Sequence, residues 1–214
     1  MAHGSLGSFP FARDCGRLVP SRQDRGGSDG EWDSPRRRKK GGCDVHNSMN
    51  VCVRAVRLGD AEAIVGILNP VIEAGEYTIL DTPLTTEAER RYISQLPERA
   101  IFHVAQMPGD GTIVGFQTLE PFAGYTHACD HVGVIATFVA LEHRRQRVGG
   151  RLFEATVDSA RQKGYEKIFT YVRGDNRAAL NAYLKYGFRI VGTSARHAKI
   201  GDRYIDEIII ERFL

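Results

Sequence analysis

The sequence predicts a mixed α/β domain over residues 49–214, with about seven strands and about four helices. Three observations predict it. Short apolar runs bounded by turn residues recur along the chain and read as strands, some of them joined as hairpins. Longer stretches with apolar residues at helical spacing lie between them. The two kinds follow the order β-α-α-β-β-β-α-β-α-β-β, which suits one mixed sheet covered by helices.

Val51, Val53 and Val56 begin the first strand, which ends at Arg57-Leu58-Gly59. Asp60 is a good N-cap for a helix over Ala61–Ala74, with Ile64, Ile67, Leu68 and Ile72 as its apolar stripe. Pro70 is expected to kink or divide that helix. Thr86-Glu87-Ala88-Glu89 has the capping-box pattern of a second helix through Leu96, ended by Pro97. Ile101–Gln106 and Thr112–Leu119 are strands around the turn Met107–Gly111. The apolar run Val132–Val139 reads as a central strand buried on both faces. A helix over Val148–Lys163 is closed by Gly164. Lys167–Val172 is a strand and Asn176–Tyr186 a helix with Gly187 past its end. Phe188–Thr193 and Tyr204–Phe213 are strands joined near Gly201-Asp202.

Charged residues make up 26% of the 214 and hydrophobic ones 42%, ordinary values for a globular chain. No stretch approaches the roughly 20 apolar residues needed to span a bilayer. Residues 1–48 hold nine Lys+Arg against six Asp+Glu, so the whole net charge of +3 sits there. The remainder is neutral, which argues against a nucleic-acid-binding body. That first segment also holds eight of the 23 glycines and the run Arg36–Lys40, with no periodicity. It reads as a disordered extension, with Met49 as a candidate true start. Cys15, Cys43, Cys52 and Cys129 have no C-x-x-C spacing, so no metal site is expected and a reducing cytoplasm fits.

The chemistry concentrates in Thr137–Phe188. A strand ending at Val139 is followed by Arg144, Arg145, Gln146 and Arg147, then Val148 and the pair Gly149-Gly150 at the start of a helix. Unpaired N–H groups at a helix start carry partial positive charge, and glycine lets an anion approach the backbone. Strand, Arg/Gly turn and helix make a plausible pyrophosphate cradle, although such turns also occur as plain solvated surface. The G-x-x-x-x-G-K-[ST] loop and the G-x-G-x-x-G fingerprint are both absent.

Two elements later comes Asn176-Arg177-Ala178-Ala179-Leu180-Asn181-Ala182-Tyr183, then Leu184-Lys185-Tyr186-Gly187-Phe188. With these residues Val51–Leu214 resembles the GNAT superfamily of acyl-CoA-dependent N-acyltransferases. The family's Q/R-x-x-G-x-G/A turn is matched at Arg144 and Gly149, with Arg147 where glycine is usual. Its N-x-x-A-x-x-x-Y-x-x-x-G-F helix is matched at Asn176, Ala179, Tyr183, Gly187 and Phe188. The resemblance implies a mostly antiparallel sheet splayed in the middle, and acetyl-CoA as co-substrate. It implies main-chain pairing of the pantetheine arm near Phe138 and Val139, with the Val139 N–H on the thioester carbonyl. It places the pyrophosphate on the turn Arg144–Gly150, and gives Tyr183 as general acid and Asn176 as a pantetheine contact or helix cap.

The base is open. Glu120 ranks first, with His127, Asp130, His131, Asp206 and Glu207 behind it; charged positions in the last strand read mostly as surface. The resemblance implies an acceptor pocket shaped by the first two helices and the 120–131 loop, where Glu73, Glu76, Tyr77, Phe122, Tyr125 and His127 suit a small cationic or amphiphilic amine. The layout resembles the phosphinothricin and amino-acid acetyltransferase branch, which carries a Glu in the fourth strand where this chain has Val134. The expected activity is acetyl transfer from acetyl-CoA to a primary amine of a small molecule. The alternatives are a non-catalytic acyl-CoA-binding module and a protein N-terminal or lysine acetyltransferase. A homodimer through the C-terminal strands is compatible with the sequence.

Overall fold

The computed structural model describes residues 51–214. The expectations for residues 1–48, the Arg36–Lys40 run and the start at Met49 lie outside the described residues. The order is β1 Cys52–Ala55, α1 Ala61–Glu73, α2 Thr86–Ser94, β2 Ile101–Gln106, β3 Ile113–Pro121 and β4 Val132–Val139. Then follow α3 Val148–Gln162, β5 Lys167–Arg173, α4 Arg177–Lys185, β6 Arg189–Ile200 and β7 Arg203–Phe213. The strands form one sheet in the order β1-β2-β3-β4-β5-β7-β6. Every neighbouring pair is antiparallel except β4 and β5. The element order predicts a mixed α/β sheet, and a mostly antiparallel one is what the resemblance implies; both describe this sheet.

Two cores sandwich the sheet. On one face α3 and α4 bury Phe153, Val157 and Leu180 against Leu119, Ile135, Ile168 and Ile210. On the other, α1 and α2 bury Ile64, Leu68 and Ile93 against Phe102, Val104 and Phe116. Period-2 alternation in β3 and β4 assigns their residues to the two faces in turn.

Four local expectations change. Asp60 precedes α1 without capping it. Arg54 takes its carboxylate at 2.7 and 2.9 Å, and the Arg57 N–H donates to it at 2.7 Å. Pro70 sits inside α1 without dividing it: one turn from the end it forfeits a single N–H, and its own carbonyl accepts from Ala74. Thr85, rather than Thr86, is the N-cap of α2, its hydroxyl accepting from the Ala88 N–H at 3.2 Å. The one-residue shift turns Glu89 inward from the capping position assigned to it, and it is buried. Finally, β4 is buried over Gly133–Ile135 and half-exposed over Ala136–Val139.

Glu89 lies beside Tyr92, and burial pushes its carboxyl up to about 7 from 4.5. A carboxyl raised on folding contributes stability below its unfolded value and loses it as pH rises through the folded one. Glu89→Gln should therefore leave urea stability near pH 4 unchanged and raise it by roughly 1–3 kcal/mol above pH about 7. Equal effects at both pH values would contradict the assignment.

Candidate active site

β4 pairs with β5 only at Val132, Gly133 and Val134. Beyond that the strands part, while β4 stays paired with β3 to Val139 and β5 with β7 to Arg173. A wedge opens between two strands that are each held on their far side. The Ala140 N–H donates to Val114 O at 3.0 Å, so by antiparallel alternation the Val139 N–H and C=O face away from β3, into the wedge. The Arg144 Nε donates to that carbonyl at 3.5 Å.

The start of α3 faces the same edge. A Cβ added at Gly149 would stand 3.9 Å from Val139 Cγ2 and 4.0 Å from Thr137 Cγ2, and one at Gly150 would stand 3.1 Å from Tyr186 Oη. Val148 is buried as the first hydrophobic anchor. Arg147 occupies the N-cap with no side-chain cap bond and a φ of 65°; Arg145 has a φ of 60°. Two side-chain-bearing reversals of this kind, on either side of Gln146, each cost roughly 1–2 kcal/mol. Glycine at Arg147 would remove one such cost, which is the physical meaning of the departure from the family motif. The uncapped first turn of this 15-residue helix leaves N–H groups and the positive end of its dipole beside the wedge. Gln146 turns back, donating to Glu142 O at 3.1 Å.

Tyr183 reaches the wedge from α4. Its hydroxyl shares a 3.0 Å hydrogen bond with Thr137 Oγ1, and its ring packs edge-on to Phe188 at 5.0 Å. Burial pushes the phenol up to about 12, so it is protonated at neutral pH. The Gln117 Nε2 donates to the same Thr137 Oγ1 at 2.7 Å, and the buried Gln117 Oε1 has no partner among the described residues. Gln117 was not anticipated. Its signal is an amide among the mostly apolar residues of β3, fully buried there. Phe138 points to the opposite face, stacked on Phe116 at 5.0 Å.

The mouth of the wedge is crossed by the α1–α2 loop. The Asn176 Oδ1 caps α4 by accepting from Ala179 N at 3.0 Å, while its Nδ2 donates to Tyr77 O at 3.2 Å. The Arg144 guanidinium lies over the Tyr77 ring at 3.9 Å. The buried Arg173 donates to Gly75 O and Thr78 O, both at 2.8 Å, and forks onto Asp175 at 2.9 and 2.7 Å. Arg144, Arg173 and Asn176 thus hold the same four-residue stretch of this loop, 75–78.

Glu120 is not brought to this group. It stands across from Val134, five residues from Val139 or about 17 Å along β4, on the face turned away from Thr137. There its carboxylate accepts from the Tyr92 hydroxyl. His127 and Asp130 pair with each other at 3.0 Å in an exposed loop. Tyr125 and His127 line a separate cleft of about 300 Å³ with Pro97 and Arg99. A cavity of about 570 Å³ between α1, the β2–β3 turn and Ala140–His143 contains the self-satisfied Arg54–Asp60 pair, and neither Thr137 nor Tyr183 lines it. Asp206 is exposed, whereas Glu207 is buried in β7, against the surface expectation. Among the described residues no cluster of three or more His, Cys, Asp or Glu could hold a metal.

The Acetyltransferase (GNAT) family model matches residues 72–188, just over half of the chain. The chain is 32% identical over 103 residues to "Probable N-acetyltransferase camello" of Xenopus tropicalis; the match covers 48% of this chain and 44% of that protein, so it spans less than half of that relative. It is 24% identical over 155 residues to "Putative phosphinothricin acetyltransferase YwnH" of Bacillus subtilis, covering 72% of this chain and 94% of that one. The fold matches a phosphinothricin acetyltransferase from Sinorhizobium meliloti, solved with acetyl-CoA, with a TM-score of 0.71 at 18% identity over 78% of this chain and 89% of that one. The chain belongs to the GNAT acetyltransferase family.

Arg173 is buried and makes four hydrogen bonds that a lysine cannot reproduce. Arg173→Lys should lower unfolding free energy by about 2 kcal/mol in urea and increase amide exchange at residues 75–78. Unchanged exchange there would show that the loop is held by other means.

Proposed function

We propose that this chain transfers an acetyl group from acetyl-CoA to a primary amine of a small molecule, by direct attack of the amine on the thioester. The observation that carries the reading is the convergence on one wedge of the Val139 edge, the uncapped α3 start and the Tyr183 phenol. Acetyl-CoA supplies the activated acetyl thioester. The first-turn N–H groups at Gly149 and Gly150 would hold the pyrophosphate, with Arg144, Arg145 and Arg147 adding positive charge. The free β4 edge at Val139 would pair with the pantetheine arm, and its N–H would stabilise negative charge developing on the carbonyl oxygen. Tyr183, protonated and held by Thr137, would give its proton to the departing thiolate. Binding in this mode requires Arg144 and Asn176 to share or release their contacts with Tyr77.

A small-molecule acceptor is supported by the phosphinothricin acetyltransferase named among the relatives, and by Glu76 and Tyr77 in the loop that crosses the wedge. A cytoplasmic setting belongs to the same proposal, supported by the free thiols of Cys52 and Cys129. No helix of the described residues is long and apolar enough to cross a membrane. One observation favours a second reading, an acyl-CoA-binding module without turnover: two of the residues expected to touch the ligand are engaged by the loop.

Titration calorimetry of acetyl-CoA into the full chain, with CoA release from a panel of primary amines, separates these readings. Gly149→Val should weaken acetyl-CoA binding at least about tenfold, by placing a branched side chain between α3 and β4. Tyr183→Phe should lower CoA release on the order of 10²-fold with acetyl-CoA affinity nearly unchanged. Binding without turnover in the unaltered chain would establish the second reading.

A further inference from the structure

The buried carboxylates of the described residues fall into two kinds. Asp60 is held by Arg54, and Glu211 by Lys167 and Arg189; these cations keep both titrating below their ordinary values. Glu89 and Glu207 have no such clamp. Glu89 belongs to α2, beside Tyr92 and away from the wedge. Glu207 lies one strand from the wedge, across β5. In β7 it pairs with Arg173 of β5 and Ser194 of β6, so these side chains share one face of the sheet. That face is opposite to the one carrying Ile210, which packs under α3. Extending the β4–β5 register from Val134 and Phe169 puts Arg173 level with Phe138, one residue from Val139. Glu207 therefore lies at the height of the wedge where the Val139 N–H is free, one strand beyond the wedge across β5 and on the face away from α3, so an acceptor reaching it passes over Arg173 and Tyr171 on that face.

A bulge completes the arrangement. From Ser194 to Ala198 β6 advances four residues, while β7 advances two from Glu207 to Ile205. Arg196 within it has a φ of 52°, and its N–H donates to Asp206 Oδ1 at 2.7 Å. Such strain persists only where the surroundings enforce it, and bulges re-aim side chains. Here the bulge turns His197 back over the sheet. Its ring lies parallel to Tyr171 at 5.9 Å, its Nε2 is 3.7 Å from Glu207 Oε2, and its Nδ1 is 2.8 Å from Ser194 Oγ. His197 is half-exposed while Glu207 is 4% exposed. The pair runs from the interior to solvent.

Within the acetyltransferase reading, we infer that Glu207 is the base that takes the proton of the acceptor ammonium, and that His197 is its outlet to solvent. The ammonium gives one proton to the Glu207 carboxylate, leaving a neutral amine with its lone pair. That lone pair forms the C–N bond as the C–S bond breaks. The nitrogen then sheds its second proton to water, and water returns a proton to the Tyr183 phenolate left when the thiolate took its proton, so one proton is released in all. The Glu207 carboxyl hands its proton to the unprotonated His197 Nε2, and the imidazolium releases it to water. With Nδ1–H donating to Ser194 Oγ, the Nε2 lone pair faces Glu207, which is the tautomer the relay needs.

The other groups facing Glu207 do not neutralise it. Arg173 is spent on Asp175 and on two loop carbonyls. Tyr171 is an uncharged phenol, raised by burial and by Glu207 itself. Burial raises the Glu207 carboxyl, with His197 opposing, which brings it toward the range useful for accepting a proton near neutrality. The acceptor class that follows is a primary ammonium on a small body, able to meet one carboxylate beside the flat faces of Tyr171 and His197.

The test compares the full chain with Glu207→Gln, Glu207→Asp and His197→Ala. The probes are acetyl-CoA with putrescine, phenylethylamine and lysine methyl ester, across pH about 5 to 10. Glu207→Gln should lower kcat/KM on the order of 10²-fold and abolish the acidic limb set by Glu207, with acetyl-CoA affinity unchanged by calorimetry. Its Tm should not fall, because a buried carboxylate that no lysine or arginine clamps is replaced by a neutral amide. Glu207→Asp should recover part of the rate. His197→Ala should slow turnover in dilute buffer and recover with added imidazole. An unchanged acidic limb in Glu207→Gln overturns the inference. So does the absence of CoA release from the unaltered chain with all three amines despite acetyl-CoA binding, which leaves the ligand-binding reading standing. Absence of acetyl-CoA binding overturns that reading as well.

Discussion

The parting of β4 from β5 after three residue pairs is the constraint on which the rest depends. A sheet interior normally leaves no backbone donor free, because an unpaired N–H is costly. Here the Val139 peptide is left facing a gap at the one parallel junction of an otherwise antiparallel sheet. The gap is stable because neither strand relies on the other: seven pairs tie β4 to β3, and seven tie β5 to β7. The half-exposed stretch Ala136–Val139 and the helix start beside it are consequences of that geometry.

Around the gap, the fold uses polar side chains sparingly and doubles their duties. Asn176 caps α4 with its oxygen and holds Tyr77 with its nitrogen. Thr137 joins Gln117 to Tyr183 across two strands and a helix. Arg173 buries a guanidinium by giving its donors to a carboxylate and two carbonyls, which fixes the α1–α2 loop over the mouth. The loop sets the state of Arg144, so access to the wedge and rigidity of its lid are coupled through one cation–π contact.

Much of this was legible in the sequence. Every strand and α-helix was anticipated in order, because each run carries its own periodicity and its own punctuation, such as Gly164 and Gly187 past their helices. The turn Arg144–Gly150 and Tyr183, which the structure sets beside the gap, were singled out because local motifs keep their residues within one element. What escaped depends on contacts between distant segments. Glu89 was read as a cap because Thr85 and Thr86 offer the same chemistry one residue apart. Glu120 was ranked as a base because its position in β3 gives no sign of how far along β4 it lands. The burial of Glu207 and its approach to His197 follow from a bulge in β6, and nothing in Arg189–Ile200 announces where that extra length is taken up.

The most direct test of the central claim is amide hydrogen exchange at Val139, followed by NMR with and without acetyl-CoA. The account predicts measurable exchange of the Val139 N–H in the free chain, faster than that of Phe138 and Ala140, which face β3, and strong protection once acetyl-CoA is added. A Val139 amide already as protected as Phe138 in the free chain, or unaffected by acetyl-CoA at saturation, would contradict it.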